Sequence, residues 1–195
     1  MSGFLAALAI SFGVIFVAEL GDKSQLMAMT FATRYRPMPV LIGITVATAV
    51  VHAMSVAIGY GLGAALPTTW ISLIAGLAFL GFGAWTLRGD QLTEQERRRA
   101  QRTDVSAVVA VSVAFFLAEL GDKTMLATVT LATQHGWFGT WLGSTLGMVV
   151  ADALAILVGR LLGRRLPETM IKYGAAALFA IFGIWLVADA VNQLI

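Results

Sequence analysis

The sequence predicts an all-α integral membrane protein whose six transmembrane helices form two inverted three-helix repeats. Three observations carry this expectation. The 195 residues are 58% hydrophobic and 12% charged, with a mean hydropathy of +0.84, far from the composition of soluble domains. The chain contains six apolar segments long enough to cross a bilayer. Its second half repeats its first at an offset of one hundred residues.

Crossing about 30 Å of hydrocarbon takes about 20 helical residues. Segments of that length run from Phe4 to Phe31, Val40 to Gly63, Trp70 to Leu87, Val105 to Leu131, Trp137 to Leu162 and Thr169 to Val191. Met1 to Ala18 has the apolar look of a signal peptide. It carries no Lys or Arg before its apolar run and leads into Glu19-Leu20-Gly21-Asp22-Lys23, so it reads as part of the first span. Breaker and charged residues separate the segments: Arg34-Tyr35-Arg36-Pro37, Leu66-Pro67-Thr68, a charged stretch from Arg88 to Asp104, Gln134-His135-Gly136 and Arg164-Arg165-Leu166-Pro167.

Aligned on itself, residues 16–87 match residues 116–187 without a gap. The identical pairs include Glu19/Glu119, Gly21/Gly121, Asp22/Asp122, Lys23/Lys123, Thr33/Thr133, Gly43/Gly143, Gly59/Gly159, Pro67/Pro167 and Trp85/Trp185. Shared apolar composition would not pair acids, lysines, prolines and tryptophans in one register, so the chain is internally duplicated. The division is 1–87 for the first repeat, 88–104 for a charged cytoplasmic linker and 105–195 for the second repeat. Three spans per half is an odd number, so the second half enters the membrane from the opposite side. Inverted repeats of this kind are a recurrent transporter design, with the substrate site near the midplane at the repeat interface.

All ten arginines fall in or beside the connectors after the first, third and fifth spans. The positive-inside rule places those connectors in the cytoplasm and both termini outside it. The net charge of +2 therefore reflects membrane topology, and no nucleic-acid partner is expected. The run Glu94-Gln95-Glu96-Arg97-Arg98-Arg99 reads as a solvated linker.

The chemistry lies in the duplicated acidic motif. A charged side chain at the centre of a spanning helix costs about 2.5–3.5 kcal/mol, so Glu19, Asp22, Lys23, Glu119, Asp122 and Lys123 left unpaired would cost about 18 kcal/mol together. They must be paired, hydrated or bound to an ion. On a continuous helix Glu19, Asp22, Leu26, Thr30 and Thr33 form one stripe with Lys23 at its edge, and the second half repeats it. Gly21 and Gly121 allow either close helix approach or a local break. A helix from Gly3 to Thr33 would be about 46 Å long, which calls for a tilt or a discontinuity. A break at the glycine would free carbonyls as further oxygen ligands.

Four carboxylates and two lysines sum to −2, the complement of one divalent cation. With no cysteine, a metal must be held by oxygen, imidazole or thioether; the carboxylate, hydroxyl and carbonyl oxygens of the motif suit hard ions such as Mn²⁺, Ca²⁺ and Mg²⁺ and are poor for Cu⁺. When the ion leaves, mutually repelling carboxylates take up protons, a route to metal/proton exchange. The expected metal residues are Glu19, Asp22, Glu119 and Asp122. Supporting or proton-relay roles are expected of Lys23, Lys123, Ser24, Thr124, Gln25, His52 and Asp152. His52 and Asp152 are equivalent positions at which the symmetry fails, and each could line one half-pathway. Met27, Met29 and Met125 read as packing residues, as do Thr48 and the tryptophans, while Asp189 and Glu168 lie near span ends.

The two motifs, Glu19-Leu20-Gly21-Asp22-Lys23-Ser24 and Glu119-Leu120-Gly121-Asp122-Lys123-Thr124, resemble a family of small membrane proteins with a twice-repeated Glu-x-Gly-Asp-Lys/Arg-Ser/Thr motif. That family includes the Golgi transmembrane protein 165 relatives and the bacterial MneA-type manganese exporters. The resemblance covers essentially the whole chain. It implies a cation/proton exchanger moving Mn²⁺, and in some relatives Ca²⁺, out of the cytosol, with the two Glu and two Asp as the metal site. It also implies a bacterial inner membrane, with the metal as transported substrate rather than resident cofactor. Two other readings compete: export of a cationic amino acid through an acidic cavity, and a non-transporting scaffold whose buried charges are salt bridges. No nucleophile–base pair or phosphate loop suggests an enzyme.

Overall fold

The computed structural model describes residues 2–88, Glu94, 106–162 and 168–194. Most of the predicted linker 88–104 and the connector from Arg164 to Pro167 therefore lie outside the described residues. The described chain is entirely helical: α1 Ser2–Glu19, α2 Lys23–Arg34, α3 Pro37–Ala65, α4 Thr68–Arg88, α5 Ala107–Glu119, α6 Lys123–Gln134, α7 Trp137–Leu162 and α8 Glu168–Leu194. Shifted by one hundred residues, α1 to α4 become α5 to α8.

Eight helices, rather than six, follow from one local event that occurs twice. The first and fourth apolar segments each break at the acidic motif. Gly21 has φ +76° and Gly121 φ +78°, the only positive values among the described residues. An L-residue with a Cβ is strained there, whereas glycine is not. The turn bends α1 from α2 by 74°. Of the two roles open to these glycines, the structure uses the break: an added Cβ on Gly121 would meet nothing within 4 Å. α3, α4, α7 and α8 are each long and apolar enough to cross a membrane, and the α1–α2 pair makes a fifth candidate. α5, at 13 residues, is shorter than a spanning helix by itself.

Elsewhere the punctuation works as the sequence suggests. Pro37 occupies the first turn of α3, where its missing N–H costs nothing. Tyr35 closes α2 by donating its N–H to Phe31 O at 2.8 Å. α3 shows which solvent the fold is built for. Its inward face carries Thr48, His52 and Ser55, all buried, while its outward face carries Ile42, Val46, Val50, Met54 and Ile58, exposed by 42–48%. Polar groups inside and an apolar stripe outside reverse the pattern of a water-soluble helix.

The closest packing joins one half to the other. α1 lies against α7, α5 against α3, and α4 against α8. These crossings are reciprocal, and residues one hundred apart meet where α4 crosses α8 and where α3 crosses α7. Thr48 Oγ1 is 3.4 Å from Met148 Sδ, and the Phe79 and Phe179 rings meet at 5.9 Å between centroids with their planes tilted by 35°. Such contacts bring equivalent positions of the two halves together.

Candidate metal centre

Each break places a Glu at the end of one helix and an Asp-Lys-Ser/Thr run at the start of the next. In the first half the turn is held by Asp22 N–H donating to Glu19 O at 3.0 Å. It is held also by Gln25, whose Oε1 accepts from Gly21 N–H at 2.8 Å. Gln25 Nε2 then donates to Ala151 O on α7 at 3.1 Å, tying the break to the other half. In the second half Asp122 N–H donates to Glu119 O at 3.1 Å, and Met125 Sδ stands 3.1 Å from Gly121 N. Gln25 is thus committed to the turn rather than offering a free oxygen. Of the carbonyls at the breaks, those of Glu19 and Glu119 each accept one bond.

The two breaks bring the acids together from opposite halves. Oxygens of Glu19, Asp22 and Glu119 lie within 4.8 Å of one another, and all three residues are buried. Asp122, also buried, pairs with Lys23 at 3.1 Å. Its counterpart Asp22 ion-pairs with Lys123. Thr124 Oγ1 donates to Glu119 Oε2 at 2.7 Å. Ser24 Oγ sits between Asp22 Oδ2, at 3.0 Å, and Glu19 Oε1.

One oxygen of each glutamate, Glu19 Oε2 and Glu119 Oε1, is buried with no hydrogen-bond partner among the described residues. Buried polar oxygens are ordinarily satisfied, so acceptors converging without donors mark a place for a cation. Asp152 and His52 are buried too, with both Asp152 oxygens and His52 Nδ1 unpartnered among the described residues.

The stripe drawn on a continuous helix does not survive the break. Thr30 and Thr33 turn their hydroxyls back to Leu26 O and Thr30 O, and Leu126 is 40% exposed. The positive φ at the glycine re-aims everything beyond it, leaving Ser24 and Thr124 beside the acids instead. Met27 packs in the core as expected, but Met125 serves at the turn. The sequence reading missed that role, for which an offset match to Gln25 was the available signal. Trp141 is structural, donating Nε1–H to Ala49 O at 2.9 Å. Asp189, near the end of α8, accepts from Gln193.

The GDT1 family model, described as divalent cation/proton antiporter GDT1, matches residues 7–94 and again residues 107–194. Among curated relatives, a "Putative manganese exporter" of Vibrio cholerae is 35% identical over 132 residues, which cover 67% of this chain and 64% of that protein. The aligned region thus spans less than two thirds of that relative's length. A GDT1-like protein of Synechocystis is 32% identical over 153 residues, 69% of this chain and 74% of the relative. GDT1-like protein 4 of Arabidopsis thaliana is 27% identical over 94% of this chain and 96% of its own length. No solved structure matches the chain. Both motif copies, the paired breaks and the doubled family match agree: this chain belongs to the GDT1 family of divalent cation/proton antiporters, which are transporters and not enzymes.

Proposed function

We propose that the chain exports a divalent cation, Mn²⁺ in the first place and Ca²⁺ in the second, from the cytosol in exchange for protons. The observation that carries this is the buried convergence of Glu19, Asp22 and Glu119 oxygens within 4.8 Å. Oxygen donors of this kind suit hard ions. Glu19, Asp22, Glu119 and Asp122 hold the ion. Ser24 and Thr124 orient the glutamates, Lys23 and Lys123 balance the aspartates, and Gln25 shapes the first break.

In this reading each broken pair counts as one span, giving six spans in two inverted repeats divided at the 88–104 linker. The arginine-rich connectors lie in the cytoplasm and both termini outside, in a bacterial inner membrane. Exchange follows from electrostatics: departure of the metal leaves like charges in a site of low dielectric, and protons replace it. A scaffold held by Asp–Lys pairs would account for Asp22, Asp122, Lys23 and Lys123 but leaves the two buried glutamates without a role.

Everted membrane vesicles test the proposal. Adding Mn²⁺ to respiring vesicles is expected to drive Mn²⁺ inward and raise the lumenal pH, with no competition from lysine or arginine. Glu19→Gln and Glu119→Gln each abolish both signals; normal transport by both variants sinks the proposal. Proteoliposomes loaded against Mn²⁺, Ca²⁺ and Mg²⁺ across a pH gradient rank the substrates.

A further inference from the structure

Asp152 is the acid that the duplicated motif does not explain. It lies on α7 with no exposed surface, and neither carboxylate oxygen has a hydrogen-bond partner among the described residues. A carboxylate buried in that way is ordinarily matched to a donor or a cation. Its surroundings add acid rather than base: its charge bears on Glu19 and Glu119, and that of Asp22 bears on it.

The fold accounts for the proximity. α7 packs against both α1 and α2, the two helices that meet at the first break. Gln25, on the first turn of α2, donates to the carbonyl of Ala151, the residue before Asp152. The residue is therefore held at the flank of the Glu19–Asp22 turn, outside the group of Glu19, Asp22 and Glu119 oxygens that lie within 4.8 Å of one another. Like Glu19 Oε2 and Glu119 Oε1, its oxygens are buried acceptors without donors among the described residues. The nearby ammonium groups are engaged, Lys123 with Asp22 and Lys23 with Asp122.

The pseudo-twofold relation sharpens the point. The position equivalent to Asp152 is His52 on α3, which packs against α5 and α6 at the second break. One flank thus presents a carboxylate and the other an imidazole, so the site is chemically unequal about its own axis.

Building on the cation site proposed above, we infer that Asp152 is a further ligand of the transported divalent cation, a fifth carboxylate supplied by the second half from outside the duplicated motif. Affinity for hard cations rises with the number of charged oxygen ligands, so its loss weakens binding without touching the motif.

The test is equilibrium Mn²⁺ binding to the purified full chain, read from the electron paramagnetic resonance signal of free Mn²⁺. Asp152→Asn is expected to weaken binding by at least about fivefold, Asp152→Ser to do the same, and Asp152→Glu to recover part of the loss, as ligand charge count requires. The metal-free Asp152→Asn protein is expected to melt no lower than the parent, because an unmatched buried charge has been removed. Mn²⁺ should raise its melting temperature by less than it raises the parent's. A smaller change in affinity for both neutral variants, with Glu19→Gln losing binding as expected, overturns the assignment of Asp152 alone. Failure of the parent chain to bind Mn²⁺ or Ca²⁺ at all overturns the proposed function with it.

Discussion

Lys123 forms an ion pair with Asp22 across the two halves, and Lys23 returns the contact to Asp122 at 3.1 Å. The exchange is reciprocal but not equal. Lys123 and Asp22 have side chains exposed by 3% and 0%, whereas the Lys23 side chain is 17% exposed. Removing one partner of a buried pair strands the other charge, at about 3–5 kcal/mol. Lys123→Ala should therefore lower the melting temperature in detergent more than Lys23→Ala, because the Lys23 side chain is the less buried of the two. The double reversal Asp22→Lys with Lys123→Asp should recover melting relative to either single reversal. It should not recover Mn²⁺ transport, because an acid has been moved out of the cluster; full transport by the swapped protein would show that Asp22 serves as a salt-bridge partner and not as a metal ligand.

The second prediction concerns the turn that makes the cluster. Gly21 and Gly121 hold φ near +77°, which costs a residue with a Cβ about 1–2 kcal/mol. Gly121→Ala has open space for its methyl group, so the expected loss is backbone strain alone. Gly121→Asn should be milder than Gly121→Ala, since asparagine tolerates the left-handed region. Thermal unfolding orders the three proteins. Equal melting of the alanine and glycine chains would show that the turn carries no strain requirement.

Much of this arrangement was legible because it is written twice. One register pairing Glu19 with Glu119, Asp22 with Asp122 and Gly21 with Gly121 announces a duplicated site, and a helix of Gly3–Thr33 length announces a tilt or break. What could not be read is the direction of the side chains past the glycine. Glycine permits a positive φ without demanding one, so a continuous-helix wheel put Thr30 and Thr33 beside the acids, and the turn sends them elsewhere. The reach of each lysine to the opposite aspartate is a tertiary fact with no local signature. The work of Gln25 was hidden for a different reason, since its equivalent is Met125 and the symmetry that exposed the motif is silent there.

That difference yields a third prediction. Gln25 satisfies Gly21 N–H with one end and reaches Ala151 O with the other, at 2.8 and 3.1 Å. Gln25→Leu leaves the N–H without its partner and cuts the tie between halves, at a cost of about 1–3 kcal/mol. Met125→Gln should be neutral or stabilising, because a glutamine at the equivalent turn reaches the Gly N–H and gives a stronger bond than a thioether sulfur. Melting curves of the two single variants suffice: a loss for Met125→Gln as large as that for Gln25→Leu would contradict the capping role.

The last prediction tests the crossings that bring the two breaks together. Gly43 on α3 and Gly143 on α7 occupy equivalent positions against equivalent helices. A Cβ added at Gly43 would lie 2.7 Å from Val111 Cβ and 2.9 Å from Val108 O on α5. One added at Gly143 would lie 3.0 Å from the carbonyl carbon and Cα of Leu8 on α1. Main-chain atoms of a packed helix cannot step aside as a side-chain tip can, so the helices themselves must part. Overpacking of this kind costs about 1–3 kcal/mol. Gly43→Ala and Gly143→Ala should each lower the melting temperature, while Gly61→Ala on the same helix as Gly43, with nothing within 4 Å, should not. Because the α1–α7 crossing also positions the Glu19 turn beside Asp152, Gly143→Ala should weaken Mn²⁺ binding in addition. An unchanged affinity alongside a lowered melting temperature would separate the packing of α1 on α7 from the geometry of the site.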